Sequence, residues 1–238
     1  MDATRPGFET YLFDLDGTLV DSIDLIMASF RHTMRTHLGA VPPDAAWRAG
    51  FGRPLRTQLA AYASEQADVD GLVATYRAYN HEHHDRLVRP YPGIADTVAT
   101  LRARGAALAI VTSKGRTLAW RGLARCGLDA HFTVLVGVDD VRAHKPDPAP
   151  VLLALDRLSA PAGGAVFVGD SPHDIRAGRA AGVSTAAVTW GPFPRAALAI
   201  EAPDHWLARP ADIVSMRSEP LPGDGTPRPR PPSRGKLR

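Results

Sequence analysis

Five short apolar runs recur along this chain, and helical patterns separate the later ones. The runs are TYLFD at 10–14, ALAIVTS at 107–113, TVLVG at 133–137, AVFVGD at 165–170 and STAAVTW at 184–190. Each is apolar on successive residues, which is typical of strands that are buried on both faces of a sheet. The pattern predicts an α/β fold with a Rossmann-like parallel sheet covered by helices on both sides.

Residues 19–89 interrupt this alternation after the first run. Apolar residues recur there at i, i+3, i+4, i+7 and i+11, a helical period: Ile23, Ile26, Met27, Phe30 and Met34. Turns at LGAVPPD and GFGRP divide the segment, and PYPG at 90–93 ends it. We therefore predict a helical cap at 19–89, inserted into a core made of residues 1–18 and 90–217. Four aromatic residues are expected to pack inside this cap: Trp47, Phe51, Tyr62 and Tyr76.

The formal net charge of +3 lies at one end of the chain. Residues 218–238 contain five Lys/Arg and two Asp/Glu, so residues 1–217 are balanced at 23 of each. This tail is rich in Pro, Gly and Arg and has few apolar residues, so we predict that it is disordered. The balanced charge of the remainder argues against a nucleic-acid partner.

Other features limit the class of protein. No apolar run approaches the ~20 residues of a membrane span, and the first ten residues lack the apolar stretch of a signal peptide. We expect a cytoplasmic protein without a membrane partner, and the sequence does not indicate its oligomeric state. The lone Cys126 excludes an intramolecular disulfide and is expected to be a small buried residue. The run HEHHD at 81–85 places His81 and His84 on one helix face but offers no further metal ligands, so we expect a solvated helix.

Polar residues follow three of the predicted strands, and the carboxyl ends of parallel strands share one crevice. The residues expected to converge there are Asp14, Asp16, Gly17, Thr112, Ser113, Asp170 and Ser171, with Lys145 in the turn HKPDP. Three carboxylates ~4 Å apart repel one another by about 4 kcal/mol per pair at an effective dielectric near 20. A hard cation is therefore expected among them, and Mg²⁺ with oxygen ligands and substrate phosphate fits best.

The two carboxylates of DLD suggest phosphoryl transfer. Thr112, Ser113, Lys145 and backbone amides near Gly17 suit a phosphoryl group. Asp14 would attack phosphorus, and Asp16 would protonate the leaving group and then activate water. Gly17 would let the chain turn sharply enough to bring Asp16 back over the site.

Four segments in order, DLDGTLVDS, VTSK, HKPDP and VGDSPHDIRAGRAAG, resemble the motifs of the haloacid dehalogenase superfamily, in its subclass with a helical cap after the first strand. The resemblance covers residues 8–216 and looks closest to phosphoglycolate phosphatases. It implies that Asp14 is the nucleophile and a metal ligand. It also implies that Asp16 is the acid/base and gives the metal a backbone carbonyl, and that Thr112 binds the transferring phosphate.

The same resemblance assigns three further roles. Lys145 would neutralise the nucleophile and the phosphate, Asp170 would be a metal carboxylate, and Asp174 would orient a metal-bound water or the lysine at the metal site. Structural alternatives stand beside these roles. Asp170 and Ser171 could cap a helix that begins near Pro172, with Asp174 in its first turn, and Lys145 could be a surface lysine.

Several members of the superfamily are separated from this chain by its residues. Dehalogenases would need neither Asp16 nor Asp170, and phosphonate-cleaving members need a cap lysine, whereas residues 19–89 contain none. Mutases of this type carry polar cap residues directly after the first motif, where this chain has Ile23. We therefore expect simple hydrolysis by an Mg²⁺-dependent phosphatase that acts on a small phosphorylated metabolite.

The cap should decide the substrate, because the core site handles only the phosphoryl group. In the loop GFGRPL, Arg53 is predicted to bind a carboxylate or a second phosphate. Phosphoglycolate is expected first by resemblance, with inorganic pyrophosphate and nucleotide or sugar phosphates as alternatives. The stretches GDSPHDI and TAAVTWG also resemble pyrophosphatase relatives. An alternative of another class is a non-catalytic binding protein whose tail contacts nucleic acid, and the complete set of catalytic residues argues against it.

Overall fold

The computed structural model describes residues 7–64 and 68–218. The first elements in chain order are β1 Thr10–Phe13, β2 Val20–Asp21, α1 Ile23–Leu38, α2 Asp44–Arg48, α3 Leu55–Leu59, α4 Val69–Leu87 and β3 Arg89–Pro90. They are followed by α5 Ile94–Ala103, β4 Ala107–Val111, α6 Arg116–Arg125, β5 Val134–Val136, α7 Ala149–Leu158 and β6 Ala165–Gly169. The last are α8 Pro172–Ala180, β7 Ser184–Val188, α9 Arg195–Ala199, β8 His205–Leu207 and α10 Ala211–Ser215.

Six strands form one parallel sheet in the order β5-β4-β1-β6-β7-β8. β1 lies at the centre, with Phe13 paired to Ile110 of β4 and Val168 of β6. Every residue of β1, β6 and β7 is buried, so the predicted α/β class and its five strands are confirmed. β8 was not predicted. Its three residues, HWL, do not belong to a long apolar run, and His205 and Trp206 are partly exposed.

Helices cover both faces of the sheet. Leu123 of α6 packs with Phe13 in one apolar cluster. Val151 of α7 and Ala177 of α8 pack with Leu12 in a second cluster. Since neighbouring residues of a strand point to opposite faces, successive residues of β1 alternate between the two clusters. This burial fixes β1 rigidly in the middle of the fold.

Helices α1 to α4 pack around an apolar cluster of their own. The ring of Phe30 stacks on Trp47 with 4.5 Å between the ring centroids. Trp47, Phe51 and Tyr76 are buried in this cluster, and Tyr62 packs against it while partly exposed. The predicted packing of these aromatic residues is confirmed.

The periodicity alone suggests that residues 19–89 are purely helical, but the structure also contains short strands at both ends of this segment. The two-residue strands β2 and β3 pair antiparallel, Val20 with Pro90 and Asp21 with Arg89. They join the segment that leaves the core to the segment that returns to it. Strands this short have no periodicity that a sequence pattern could reveal. The exact division into core and cap stays a prediction.

The expectation of a solvated helix at 81–85 is wrong for one residue. His84 is fully buried, while His81 is exposed. The cause is the packing of α4 on α6, where His84 lies beside Gly122. Arg121 of α6 donates hydrogen bonds to the Asp85 carboxylate at 3.0 Å and to the His81 carbonyl at 3.2 Å. Burial lowers the pKa of His84, which favours the neutral imidazole.

Cys126 is half-buried, which is less than the buried position expected from its type. It follows α6 and packs against the first apolar cluster, and burial raises the pKa of its thiol to about 11. The predicted disordered tail, 218–238, lies outside the described residues except for Ser218. Among the described helices, none is long and apolar enough to cross a membrane.

Candidate active site

A cleft of about 780 Å³ opens between the carboxyl ends of the central strands and the helices α1 to α4. β1 lies between β4 and β6, so the segments that follow these three strands meet at its floor. Seven of the predicted residues line the cleft: Asp14, Asp16, Arg53, Thr112, Ser113, Lys145 and Asp170. The volume is typical of sites for small molecules.

Asp14, directly after β1, forms the centre of the floor. Its Oδ1 accepts a hydrogen bond from Lys145 Nζ at 2.9 Å. Lys145 Nζ also donates to Asp174 Oδ1 at 2.7 Å and to the Val111 carbonyl at 3.2 Å. All three ammonium hydrogens of Lys145 therefore have acceptors, and its side chain is 1% exposed. Lys145 is thus not a surface lysine.

Three carboxylates lie close together here. Single oxygens of Asp14, Asp170 and Asp174 lie within 4.8 Å of one another, and all three residues are buried. At that separation each pair repels by about 3.5 kcal/mol at an effective dielectric near 20. When all three carboxyl groups are ionised, Lys145 supplies one positive charge against three negative charges. The net charge of the cluster is then −2, which a divalent cation would neutralise.

The pKa values of these groups follow from burial and from one another. Burial raises the pKa of Asp14 to about 7. The charge of Lys145 lowers this pKa, and the charge of Asp174 raises it further. Burial and the charge of Asp14 raise the pKa of Asp170. Burial works to lower the pKa of Lys145, but Asp14 and Asp174 outweigh it and raise the pKa. A cation at Asp14 and Asp170 would favour their charged forms.

Asp170 follows β6 and points into the site. Its Oδ1 accepts a hydrogen bond from the buried Thr18 hydroxyl at 2.9 Å. Gly17 has φ +90°, and a Cβ on it would lie 2.8 Å from the Asp170 carboxyl group. A Cβ on Gly191 would lie 2.4 Å from Asp170 Cβ. Both glycines are therefore required by the close approach of the chain to Asp170.

Asp174 combines the two roles that the sequence leaves open. It lies in the first turn of α8 and forms a capping box with Ser171. Its Oδ2 accepts from Ser171 N at 2.9 Å and from Ser171 Oγ at 2.6 Å, while Oδ1 accepts from Lys145. Ser171, and not Asp170, is the N-cap of this helix. The bonds of Asp174 favour its role in orienting Lys145.

Asp16 lies two residues beyond Asp14, at the edge of the floor, with 20% of its side chain exposed. Its Oδ1 accepts hydrogen bonds from Lys114 Nζ at 2.7 Å and from the Ser22 hydroxyl at 2.6 Å. Burial works to raise the pKa of Asp16, but the charge and hydrogen bond of Lys114 and the bond from Ser22 outweigh it. The pKa of Asp16 consequently lies below its ordinary value.

The residues after β4 have separate contacts. Thr112 is 5% exposed, and its Oγ1 accepts from Lys114 N at 3.2 Å, so its hydroxyl hydrogen is not used by that bond. Ser113 donates its hydroxyl hydrogen to the Gly52 carbonyl at 2.6 Å, across the cleft in the loop between α2 and α3. Arg53, the next residue of that loop, lines the cleft and is exposed.

Several residues of the site were not predicted by sequence reasoning, notably Lys114, Ser22, Thr18 and Gly191. Lys114 had one usable signal, because the chain has only three lysines and one of them follows the strand-end pair Thr-Ser. Ser22 and Thr18 lie in the same motif as Asp16, but their partners depend on the fold. Gly191 reads as an ordinary turn residue in TWGPFP. Its approach to Asp170 joins residues that are distant in sequence.

The arrangement has the groups that phosphoryl chemistry requires. A buried carboxylate faces the cleft at Asp14, a second carboxylate stands beside it at Asp16, and Lys145 and Lys114 supply positive charge. Hard oxygen atoms of Asp14 and Asp170 could hold a magnesium ion, which prefers such ligands. No ring of His or Cys ligands competes for this place among the described residues.

Comparison with known proteins gives the same family. The family described as haloacid dehalogenase-like hydrolase matches residues 11–188. A relative named pyrophosphatase PpaX from Anoxybacillus flavithermus is 42% identical over 210 residues, 88% of this chain and 97% of its own length. A protein of the same name from Halalkalibacterium halodurans is 45% identical over 179 residues, 75% of this chain and 82% of its own.

Solved structures share the fold. A haloacid dehalogenase-like family hydrolase from Streptococcus pneumoniae has a TM-score of 0.77 at 27% identity, over 87% of this chain and 97% of its own. A protein named "predicted phosphoglycolate phosphatase" from Haemophilus somnus has a TM-score of 0.75 at 26% identity, with the same coverage. The family match spans well over half of the sequence and the motifs lie in one site, so this chain belongs to the haloacid dehalogenase-like hydrolase family.

Proposed function

We propose that this protein is an Mg²⁺-dependent phosphohydrolase that cleaves inorganic pyrophosphate through a phosphoryl intermediate on Asp14. The observation that carries the reaction class is the buried Asp14–Lys145 pair at the floor of a cleft, beside the second carboxylate of Asp16. The substrate rests on relatives of 42% and 45% identity that are named pyrophosphatases. The name phosphoglycolate phosphatase comes with a structural neighbour of 26% identity, so we rank that substrate second.

The metal proposal rests on the donor set. Carboxylate oxygens of Asp14 and Asp170, with the backbone carbonyl of Asp16, would hold Mg²⁺, and Thr18 orients the Asp170 carboxylate by its hydrogen bond. When bound, Mg²⁺ would neutralise part of the charge that the substrate phosphate brings into the cleft. Asp174 is already engaged by Ser171 and Lys145, so we assign it to orientation and not to direct coordination.

In the first step, an Asp14 carboxylate oxygen forms a bond to one phosphorus atom of pyrophosphate. The bond from that phosphorus to the bridging oxygen breaks, and its electron pair leaves with the second phosphate. Lys145 holds Asp14 in place and offsets its charge, while the unused hydroxyl hydrogen of Thr112 is available to a phosphoryl oxygen. One difficult displacement is thereby divided into two easier ones.

In the second step, Asp16 takes a proton from a water molecule whose oxygen attacks the phosphorus on Asp14, and Asp16 then releases that proton to solvent. The bond between phosphorus and Asp14 breaks, its electron pair returns to the carboxylate, and inorganic phosphate is released. Lys114 and Ser22 both bond Asp16 Oδ1 and fix its orientation for this proton transfer.

The charges around the cleft support a substrate with a second phosphate. Lys114 pairs with Asp16, and Arg53 lines the same cleft, so both cations border the space that is open to a leaving group. A phosphate leaves as a stable anion and needs less help from a general acid than an alkoxide does. Cations at the leaving-group end are therefore more useful for pyrophosphate than for a simple ester.

A second candidate, hydrolysis of a phosphomonoester such as phosphoglycolate, is favoured by the shape of the cleft. About 780 Å³ exceeds what a second phosphate fills, and apolar side chains line part of the wall: Ile23, Ile26, Phe51, Leu55, Leu118 and Val138. Such a wall suits an organic leaving group.

The test is a substrate panel with purified protein and Mg²⁺: pyrophosphate, phosphoglycolate, nucleotides, sugar phosphates and para-nitrophenyl phosphate. The proposal predicts the highest kcat/KM for pyrophosphate and loss of all turnover on addition of EDTA. A higher kcat/KM for a monoester would select the second candidate. Hydrolysis unaffected by EDTA would contradict the metal proposal for either substrate.

A further inference from the structure

The loop at 50–54, GFGRP, bridges the cleft from the cap side to the core side. On the cap side it is held by its own turn: Phe51 N donates to the Arg48 carbonyl and Arg53 N to the Gly50 carbonyl, each at 3.1 Å. Gln58 of α3 donates to the Arg53 carbonyl at 2.9 Å. The peptide groups around Arg53 are therefore fixed before any ligand binds.

On the core side, the contact is made by Gly52. Its carbonyl accepts the Ser113 hydroxyl at 2.6 Å, from the segment that follows β4. Its φ is +86°, and a Cβ at this position would lie 2.9 Å from Ser171 Oγ and 3.2 Å from His173 Cδ2, at the start of α8. The loop thus lies directly on two core segments that also build the catalytic floor.

The hydroxyl of Ser113 has a single hydrogen, and the bond to Gly52 uses it. The non-bridging oxygens of a phosphate act mainly as acceptors, so in this arrangement the Ser113 side chain has no hydrogen to donate to them. The sequence suggests a phosphate ligand at this position. The structure offers another use for the residue, since its hydrogen bond joins the core to the loop that carries Arg53.

We propose that Ser113 is a positioning residue that latches the 50–54 loop onto the core and thereby holds Arg53 at the leaving-group end of the cleft. Three consecutive residues then have different roles. Thr112 faces the transferring phosphate, Ser113 holds the 50–54 loop by a hydrogen bond, and Lys114 orients Asp16. The effect on turnover rests on the proposed function, because it acts through the second phosphate of the substrate.

The first arm of the test is kinetic and uses the full-length protein with Mg²⁺. Ser113→Ala should lower kcat/KM for pyrophosphate about 3- to 10-fold, mainly through KM, as expected for one lost hydrogen bond. For para-nitrophenyl phosphate, which has no second phosphate for Arg53, the change should stay below about twofold. Ser113→Thr keeps the hydroxyl and should restore most of the loss.

The double variant Ser113→Ala/Arg53→Ala tests whether the latch acts through Arg53. Its loss on pyrophosphate should be close to that of Arg53→Ala alone, because a misplaced arginine and an absent one are equivalent. Ser215→Ala is the matched control, since it also removes a serine hydroxyl that donates to a backbone carbonyl, at 2.9 Å to Asp212, outside the cleft. It should leave both substrates unchanged.

The second arm needs no substrate. Amide hydrogen exchange at 50–54 should be faster in Ser113→Ala than in the wild type and should return to the wild-type rate in Ser113→Thr. Gly52→Ala, which pushes the loop off Ser171, should give the same pattern even if Ser113→Ala proves unstable. If the wild type hydrolyses no pyrophosphate, the proposed function fails, and this arm still decides the latch.

Two results would overturn the latch. One is unchanged exchange at 50–54 in both Ser113→Ala and Gly52→Ala. The other is an equal loss on pyrophosphate and para-nitrophenyl phosphate in Ser113→Ala, which would make Ser113 a ligand of the transferring phosphate.

Discussion

The floor of the cleft and the wall formed by the cap are built in different ways. On the floor, Asp14, Lys145, Asp170 and Asp174 are at most 5% exposed, and each has polar partners within the protein. On the cap wall, Arg53 is exposed, and Trp47 Nε1, Gln58 Oε1 and Asn80 Oδ1 are buried without a hydrogen-bond partner among the described residues.

This difference suggests that the floor carries out the reaction and that the cap wall recognises the substrate. Strands at the centre of a packed sheet hold the floor residues in one geometry, which suits groups that must meet a reacting phosphorus. Helices α1 to α4 have an apolar cluster of their own, and the polar contacts Ser113–Gly52 and Arg121–Asp85 join this part of the chain to the core beside apolar ones such as Leu25. The floor therefore indicates the reaction, while the substrate depends on the wall. The following variants test this division.

Removal of the Asp16 carboxylate should have the largest of these effects. In Asp16→Asn, kcat should fall about 10²- to 10⁴-fold, because no group takes the proton from the attacking water. The loss should lie in the second step, so phosphorylated protein should accumulate and be visible by rapid quench. Asp24→Asn, an exposed aspartate of α1, is the control and should keep wild-type kcat. A normal kcat in Asp16→Asn would move the proton transfer to another group.

Removal of the Asp170 carboxylate should act through the metal. In Asp170→Asn, the Mg²⁺ concentration for half-maximal activity should rise by at least the ~10- to 100-fold that loss of an outer-shell partner causes, with a matching loss of Mg²⁺ affinity in calorimetry without substrate. The exposed Asp129→Asn serves as the control. Unchanged Mg²⁺ affinity in Asp170→Asn would show that the cation lies elsewhere.

A change on the cap wall should be smaller and should depend on the substrate. Arg53→Ala should lower kcat/KM for pyrophosphate about 10-fold, the scale of one charge-assisted hydrogen bond. Para-nitrophenyl phosphate should be nearly unaffected. Arg35→Ala removes an exposed arginine of α1 that does not line the cleft, and should change neither value. Equal losses on both substrates would mean that the cap contributes to the chemical step itself.

The same division governs what the sequence could predict. β1, β6 and β7 are buried on both faces, so short, mostly apolar runs separated by helical patterns predicted them. Strand-end residues such as Asp14 and Asp170 followed from the parallel sheet, because the carboxyl ends of its strands must meet. β2 and β3 have only two residues each, and β8 has three, too few to produce a pattern.

Contacts between core and cap were beyond sequence reasoning. The polar run HEHHD suggested a solvated helix, yet Tyr76, Asn80 and His84 recur at i, i+4 and i+8 and are all buried. That spacing indicates a buried helix face, but Asn80 and His84 are polar residue types, so an apolar periodicity does not detect it. The bonds of Lys114 to Asp16 and of Ser113 to Gly52 depend on how two parts of the chain pack, and no local pattern encodes them.

The most direct test of the central claim is to trap the phosphoryl group. The Asp16→Asn protein, mixed with pyrophosphate and Mg²⁺ and quenched in acid within one turnover, should gain the mass of one phosphoryl group, and peptide mapping should place that group on Asp14. Asp14→Asn/Asp16→Asn should gain none. A phosphoryl group on any other residue, or turnover at the wild-type rate by Asp14→Asn, would contradict the account.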